Sequence, residues 1–416
     1  MKNNIKKIII EHQEFISKIP VVSRNLNLEF TANYIITGQR RTGKTYLLYQ
    51  YIQQLLKNGV EQKEIVYINF EDERLLEFTV TDFDKIIESY NELFNLKPIL
   101  FFDEIQNIPG WQNYARRLAD SNYKILITGS NAQMLSSEMA TTLGGRFLVK
   151  EMDTFSFEEY LMFQGITIEP HLSYSEKRFE VQRIFEDYFY YGGFPELHKY
   201  VNKQEYLNTI FQKIFLGDII ARHQIRNPYA LRLMIKKLAE STMDEVSFNR
   251  VKNIIQSTGV QVGTSTLIEY FSYIEDSFLI RSLQNYKSKI TERETKKKYY
   301  FRDHGLLKLF LTDTESFQLE TIVFNELSKR FPGNLYYLKD NYEIDFYVPE
   351  KMLIQVAFKM NDSKTREREL SALLKASINY KVEKLIIITY FQEEIINQED
   401  KQITIIPAWK WLLNIE

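Results

Sequence analysis

The chain has 416 residues, a length that predicts two to three domains of about 150 residues each. Its hydrophobic fraction of 44% and charged fraction of 26% are ordinary for a globular protein, and the formal net charge of -2 excludes a basic field over the whole surface. Cysteine is absent, which excludes disulfides and thiolate chemistry and fits a reducing compartment.

Residues 1–30 are predicted to form an amphipathic N-terminal helix and its connection to the rest of the chain. The apolar run Ile8–Ile10 is broken at once by Glu11. A membrane span needs about 20 apolar residues, and the core of a signal peptide is also longer than this run. The sequence therefore predicts a cytoplasmic protein that does not enter a membrane.

Residues 31–155 alternate short apolar runs with longer helical patterns. The apolar runs are Tyr34–Thr37, Ile65–Phe70, Pro98–Phe102 and Lys124–Thr128. Strands that alternate with helices predict a parallel sheet that is covered on both faces. The predicted fold class of this region is therefore α/β.

A glycine-rich segment follows the first of these strands and matches the phosphate-loop pattern G-x-x-x-x-G-K-[ST] without a mismatch. Its glycines allow a sharp turn and let backbone N–H groups approach a phosphate, which the N-terminus of the following helix also attracts. Lys44 is predicted to neutralise the β- and γ-phosphates, and the Thr45 hydroxyl to bind Mg²⁺. The predicted ATP-binding residues are Gly38, Gln39, Arg40, Arg41, Thr42, Gly43, Lys44 and Thr45.

Two acids directly follow the apolar strand Ile99–Phe102. Carboxylates at the carboxyl edge of a central parallel strand lie where such sheets bind their ligands. Asp103 is predicted to hold Mg²⁺, directly or through water, and Glu104 to polarise the water that attacks the γ-phosphate. Together with the phosphate loop, this pair predicts ATP hydrolysis with Mg²⁺ as the cofactor.

Polar residues also follow the strand that ends at Thr128. Ser130 or Asn131 could sense the γ-phosphate or orient the water; Asn131 is favoured, and the alternative is a residue that caps the next helix. Arg146 is predicted to supply positive charge in the transition state, to its own nucleotide or to that of a neighbouring copy. The alternatives for this role are Arg116 and Arg117, and any of the three could instead be a solvated arginine.

The middle of the chain is predicted to be helical and lid-like over residues 156–240. Residues 241–305 predict two helices and a strand, a pattern that resembles a winged helix. Residues 281–302 contain eight lysines and arginines and two glutamates, so their net charge is eight minus two, or +6, and tyrosines are interleaved. This stretch predicts a DNA-binding wing, and the alternative is a solvated linker, since no base-reading motif is visible.

Several motifs together resemble the AAA-like P-loop ATPases of prokaryotes that carry a C-terminal domain of unknown function, and the resemblance covers nearly the whole chain. The motifs are Gly38–Thr45, Asn69–Asp72, Phe102–Gln106, Thr128–Asn131, Gly145-Arg146 and Gly192–Glu196. The resemblance implies a P-loop NTPase core, a helical and winged-helix middle, and a C-terminal α/β domain over residues 315–416 that is similar to the restriction-endonuclease-like fold. The residues that carry this last part are Glu320, Glu343–Phe346, Gln355-Val356, Thr365 and Arg368-Glu369.

A nuclease of that fold uses acids that hold a divalent metal and a lysine beside the scissile phosphate. The resemblance assigns Glu320 and Asp345 as metal ligands, but Gln355 replaces the expected acid and Ala357 the expected lysine. Lys359 follows on the same strand face, two residues later, and could replace that lysine. The sequence predicts a degenerate site that does not cut and serves as a docking or nucleic-acid-binding surface.

The leading hypothesis is an ATPase that switches or drives an attached winged-helix and nuclease-like module. One alternative is an ATP-dependent nucleic-acid-processing enzyme with an active C-terminal nuclease. The other is a non-catalytic, nucleotide-gated interaction module. The predicted partners are ATP, DNA through residues 281–302, and a protein that the sequence does not identify; the chain could also form oligomers.

Overall fold

The residues that the computed structural model describes are 1–24, 28–135, 141–289, 296–398 and 400–415. The chain forms two compact units, one of residues 1–153 with 276–278 and the other of residues 154–275 with 279–416. No helix among the described residues is long and apolar enough to cross a bilayer.

The first unit is built on a five-stranded parallel sheet with the strand order β2-β3-β4-β1-β5. Its strands are β1 (Asn33–Thr37), β2 (Ile65–Asn69), β3 (Ile99–Asp103), β4 (Lys124–Gly129) and β5 (Phe147–Glu151). The structure confirms the predicted α/β class and the first four strands. Because all five strands run in the same direction, their carboxyl ends meet at one edge of the sheet.

Helices cover both faces of this sheet. They are α1 (Lys2–Ile16), α2 (Lys44–Lys57), α3 (Asp84–Asn91) and α4 (Trp111–Asp120). In β1, Ile35 packs in one core with Ile8 of α1, while Ile36 packs in the other core with Leu48 of α2. Successive strand residues therefore face opposite layers, and burying each of these side chains contributes about 1.5–3 kcal/mol. The N-terminal helix is thus part of the first unit.

The chain between the two sheets is mostly helical, as predicted. Its elements are α5 (Phe157–Phe163), α6 (Lys177–Tyr191), α7 (Lys203–Lys213), a π-helix (Ile214–Ala221), α8 (Pro228–Glu240), α9 (Phe248–Ser257), α10 (Thr264–Asp276), and the antiparallel strands β6 (Ile280–Gln284) and β7 (Lys297–Phe301). Helices α9 and α10 and the strand β6 agree with the predicted elements, and the assignment of this region to the winged-helix class stays a prediction.

The second unit contains a mixed six-stranded sheet with the order β12-β13-β11-β10-β9-β8. Its strands are β8 (Tyr336–Lys339), β9 (Glu343–Val348), β10 (Met352–Ala357), β11 (Lys384–Thr389), β12 (Glu394–Gln398) and β13 (Lys401–Pro407), and its helices are α11 (Glu315–Arg330), α12 (Ser363–Asn379) and α13 (Ala408–Leu412). The apolar runs of the sequence at Leu335–Leu338, Ile344–Val348, Leu353–Phe358 and Lys384–Thr389 predict the strands β8 to β11, and Lys364–Ile378 predicts the helix α12. The C-terminal α/β sheet is confirmed. Its assignment to the restriction-endonuclease-like fold stays a prediction.

Candidate nucleotide-binding site

The phosphate loop connects β1 to α2, so the predicted strand–loop–helix arrangement is present. A Cβ atom on Gly38 would lie 2.1 Å from the carbonyl oxygen of Met152, the residue after β5. Gly43 has a φ of 95° and takes the left-handed conformation directly before α2. Both glycines are therefore required by the local geometry, one by a close approach and the other by the turn into the helix.

Lys44 is held against its own loop. Its Nζ donates to the carbonyl oxygens of Gly38 and Gln39, each at 3.0 Å, and it lies 3.7 Å from Oε1 of Glu104. The residue is only 3% exposed. Its ammonium group is thus placed where a phosphate bound to the N–H groups of the loop would meet it.

Asp103 ends β3 and is surrounded by hydroxyl groups. The hydroxyls of Thr45 and Tyr67 donate to its Oδ2 at 2.7 and 2.6 Å, and the hydroxyl of Thr128 donates to its Oδ1. Burial, and then the charge of Glu104, raise the pKa of Asp103 above its ordinary value, against these hydrogen bonds. The side chain is therefore fixed in direction but costly to ionise in a dry site.

The Thr45 hydroxyl and the Asp103 carboxylate fit a magnesium ion. Both offer hard oxygen atoms, which Mg²⁺ prefers, and a bound cation would favour the ionised form of Asp103. Among the described residues, no group of three or more His, Cys, Asp or Glu side chains could hold a metal. Phosphate oxygens and water would complete the coordination, as is usual for Mg²⁺ at nucleotide sites.

Glu104 follows Asp103 in the left-handed conformation, with a φ of 52°. Its N–H donates to the Thr128 hydroxyl at 3.0 Å, and Gln106 Nε2 donates to its Oε2 at 2.5 Å and to Ser130 Oγ at 3.2 Å. Burial raises the pKa of Glu104, but the Lys44 charge and the Gln106 hydrogen bond outweigh it and hold this pKa below its ordinary value. Glu104 is therefore ionised at neutral pH and able to accept a proton.

The end of β4 lies at the level of the phosphate loop, because Gly129 pairs with Thr37. Ser130 contacts Gln106 and so belongs to the group around Glu104. Asn131 is 7% exposed and directly follows it. The sequence favours Asn131 over Ser130 as the residue that senses the γ-phosphate. The structure brings Ser130 into the site, and the role of Asn131 stays a prediction.

Arg146 lies at the opposite edge of the sheet. The next residue, Phe147, pairs with Asn33 at the start of β1, whereas the phosphate loop follows the end of β1. The Arg146 side chain donates to Asp120 and to the carbonyl oxygen of Gly144. This corrects the expectation that Arg146 acts on a nucleotide bound to its own chain; action on a neighbouring copy stays a prediction.

The two alternative arginines are also bound elsewhere. Arg116 lies 3.9 Å from Asp120, and Arg117 lies 2.5 Å from Asp84. Both arginines are in the last part of α4, which leads away from the end of β3 towards the start of β4. Neither arginine is therefore at the edge of the sheet that carries the phosphate loop.

Arg24 supports the loop from outside the motif and was missed in the sequence. Its guanidinium donates to the carbonyl oxygens of Thr42 at 3.0 Å and Asp153 at 2.9 Å, and its N–H donates to Gln50 at 2.8 Å. No functional role was predicted from the sequence for Tyr67, Thr128 or Gln106 either. In the sequence, Thr128 and Gln106 are indicated only by their position within the motifs Thr128–Asn131 and Phe102–Gln106.

In the second unit, three of the predicted nuclease-like residues, Glu320, Asp345 and Gln355, lie near one another, but the Gln355 amide is fully engaged. Its Oε1 accepts the Asp345 N–H at 2.8 Å, and its Nε2 donates to the carbonyl oxygen of Glu343 and to Glu369 at 3.0 and 2.7 Å. Asp345 accepts the N–H of Val356 at 2.8 Å. The amide therefore ties β9, β10 and α12 together and is not directed at a metal.

The lysine of this cluster is Lys298, not Lys359. Lys298 is 1% exposed and donates to Glu343 at 2.9 Å, whereas Lys359 is exposed beside its neighbour Phe358. Burial, and then the Glu320 charge, raise the pKa of Asp345, and burial likewise raises that of Glu320. The structure thus corrects the assignment of Lys359 and places a buried ammonium among the acids.

The basic stretch is less available to DNA than its composition suggested. Lys298 and Arg302 are buried, and residues 290–295, which include Arg293, lie outside the described residues. The helix α10, the second of the predicted winged-helix pair, carries no lysine or arginine. The count of +6 therefore overstates the exposed positive charge of this region.

Two family models match the chain. An AAA domain matches residues 31–161, and a domain of unknown function (DUF8612) matches residues 182–316. Among solved structures, the chain is similar to the Walker-type ATPase PABY2304 of Pyrococcus abyssi, with a TM-score of 0.42 and 13% identity, over 74% of this chain and 95% of that one.

Two curated relatives extend over nearly all of the chain. An uncharacterized protein of Haemophilus influenzae is 31% identical over 91% of this chain and 94% of its own length. The uncharacterized protein MJ1544 of Methanocaldococcus jannaschii is 34% identical over 98% of this chain and 95% of its own length. The chain therefore belongs to the same family as MJ1544, and it contains an AAA domain over residues 31–161.

Proposed function

We propose that the chain binds ATP with Mg²⁺ at the phosphate loop and hydrolyses it to ADP and phosphate. The observation that carries this proposal is the convergence of four side chains at one edge of the parallel sheet. Lys44 and Thr45 come from the start of α2, and Asp103 and Glu104 from the end of β3. Each matches a step of ATP hydrolysis in residue type and position.

In this proposal Lys44 binds the β- and γ-phosphates, while the Thr45 hydroxyl and Asp103 hold Mg²⁺. The bound ion supplies charge neutralisation for the phosphates. Glu104 takes the proton from the attacking water, and Gln106 fixes the direction of that carboxylate through its hydrogen bond. The burial of Asp103 and Glu104 excludes bulk water, which strengthens every charge interaction at the site.

Removal of the divalent ion tests the proposal most directly. Purified protein with ATP and Mg²⁺ should release phosphate, and excess EDTA should reduce this rate to background, because the positive charge that the ion supplies to the phosphates is lost. Phosphate release is followed with a coupled colorimetric assay. Restoring Mg²⁺ should restore the rate; a protein that binds ATP without ever releasing phosphate would favour the non-catalytic, nucleotide-gated module.

For the rest of the chain we propose that ATP turnover switches or drives the second unit. In this proposal α9, α10 and β6–β7 form a winged helix, and residues 315–416 form a nuclease-like domain. The residues of this region that would contact DNA are exposed ones such as Lys287, Lys289 and Lys296.

We expect that the second unit does not cut DNA. The Gln355 amide is engaged by Asp345 and Glu369, and the Lys298 ammonium supplies positive charge among the acids. Purified protein should leave supercoiled and linear DNA intact with Mg²⁺ or Mn²⁺, with and without ATP, in a gel assay that includes a restriction enzyme as the positive control. Cleavage that disappears in Asp345→Ala would instead establish the nuclease alternative.

A further inference from the structure

We infer that Arg40, inside the phosphate loop, is the catalytic arginine of this ATPase and contacts the γ-phosphate in the transition state, and that Glu71 is the positioning residue that holds it. The inference rests on the proposed function, since it concerns the same reaction. Phosphoryl transfer builds negative charge on the γ-phosphate oxygens, and an arginine that meets this charge is worth about 10³–10⁵ in rate. The arginines proposed for this role from the sequence are bound at the opposite edge of the sheet or along α4.

The first support for the inference is the position of Arg40. It is the third residue of the phosphate loop, counted from Gly38, so its backbone lies beside the predicted phosphate site. Its side chain is only 16% exposed, unlike a solvated loop arginine. The guanidinium is therefore held at the phosphate loop and is not released into solvent.

The second support is the residue that holds Arg40. Its Nη1 donates to Glu71 Oε1 at 2.6 Å. Glu71 lies two residues beyond Asn69, the last residue of β2, and Asn69 pairs with Asp103 of β3. The Glu71 N–H is in turn fixed by Asn69 Oδ1 at 2.9 Å. This carboxylate is thus anchored at the same sheet edge as the magnesium ligand.

The chemistry of the pair suits a transition-state contact. A guanidinium has five N–H donors in a rigid fork, so it can bind a carboxylate and a phosphate oxygen together. An ion pair that already orients Arg40 reduces the ordering cost of the contact when the charge develops. The motif Asn69–Asp72, which the proposed hydrolysis otherwise leaves without a role, thereby acquires one.

The test compares Arg40→Gln with wild type in the full-length chain. We expect kcat for phosphate release to fall by about a thousandfold while the Kd for ATP, measured by titration with a fluorescent ATP analogue, changes by less than about fivefold. Binding of ADP with aluminium fluoride, which imitates the transition state, should be lost as well. Glu71→Gln should lower kcat by about tenfold, because only the positioning is lost.

Arg74→Gln is the matched control. Arg74 also lies just beyond β2 and is also held by acids, Asp72 and Glu11, but no role in the site falls to it. It should keep the wild-type kcat. Arg40→Lys guards against misfolding, because it keeps the charge; it should fold with the wild-type Tm and still be impaired in kcat, since an ammonium lacks the fork.

The outcomes distinguish a failure of the proposed function from a failure of this inference. If wild type releases no phosphate, the proposed function fails and the inference with it. If wild type is active and Arg40→Gln keeps its kcat, or loses only ATP affinity, the inference alone is overturned. A loss of kcat and of aluminium fluoride binding, with ATP affinity retained, establishes it.

Discussion

Lys44→Ala is expected to weaken ATP binding by more than about a hundredfold. The Lys44 ammonium is buried at the loop and held by two carbonyl oxygens at 3.0 Å, so it is already positioned for the phosphate contact. Removing one partner of a buried charged pair costs about 2–5 kcal/mol, and 3 kcal/mol is about a hundredfold in affinity. Calorimetric titration with ATP and Mg²⁺ measures the change.

Lys57→Ala is the control for that experiment, because Lys57 is an exposed lysine at the far end of the same helix α2. It should bind ATP as wild type does. Lys44→Ala also leaves Glu104 without its neighbouring charge, so thermal unfolding of both variants must be compared with wild type. Unchanged ATP affinity in a folded Lys44→Ala protein would refute the phosphate-loop assignment.

The first unit was largely predictable because its strands are buried on both faces. Such strands are continuous apolar runs, and β1 to β4 each follow this pattern. The strand β5 was missed because it is an edge strand in which Leu148 and Val149 are exposed and Lys150 and Glu151 interrupt the apolar run. The strand β12 was missed for a similar reason, since most of its residues are exposed.

The site was predictable where its residues are adjacent in sequence and not where they meet through the fold. The phosphate loop and the acidic pair are local patterns with a defined spacing. Tyr67 reaches Asp103 only because β2 and β3 pair in a particular register. Arg146 was placed wrongly for a nucleotide of its own chain because the strand β5, which begins directly after it, was not predicted, and a residue that precedes a parallel strand lies opposite the phosphate loop.

Lys298 shows how composition can mislead. It stands in a run of three lysines, a pattern that usually indicates a solvated surface. The strand β7, however, is buried from Lys298 onwards, and the cost of burying the ammonium is offset by Glu343 and the nearby acids. Only the pairing of β7 with β6 and the position of α11 bring these groups together, and neither can be read from local sequence.

Glu104→Gln is expected to keep ATP binding and to slow hydrolysis by about 100- to 10,000-fold, the usual value of a positioned general base. Glutamine has nearly the same shape as glutamate, and Gln106 can still bond its side-chain oxygen. The amide cannot accept the proton of the attacking water. Steady-state phosphate release gives kcat, and equilibrium titration gives the Kd for ATP, which should change by less than about tenfold because Lys44 and Thr45 remain.

The discriminating feature of this variant is that bound ATP should persist. After incubation with Mg²⁺, nucleotide extracted from Glu104→Gln should be mainly ATP, whereas nucleotide extracted from wild type should be mainly ADP. Glu73→Gln removes a nearby exposed carboxylate and should behave as wild type. Because Glu104 also partners Lys44 at 3.7 Å, a loss of ATP affinity would mean that the carboxylate acts in binding, and a wild-type rate would mean that another group accepts the proton.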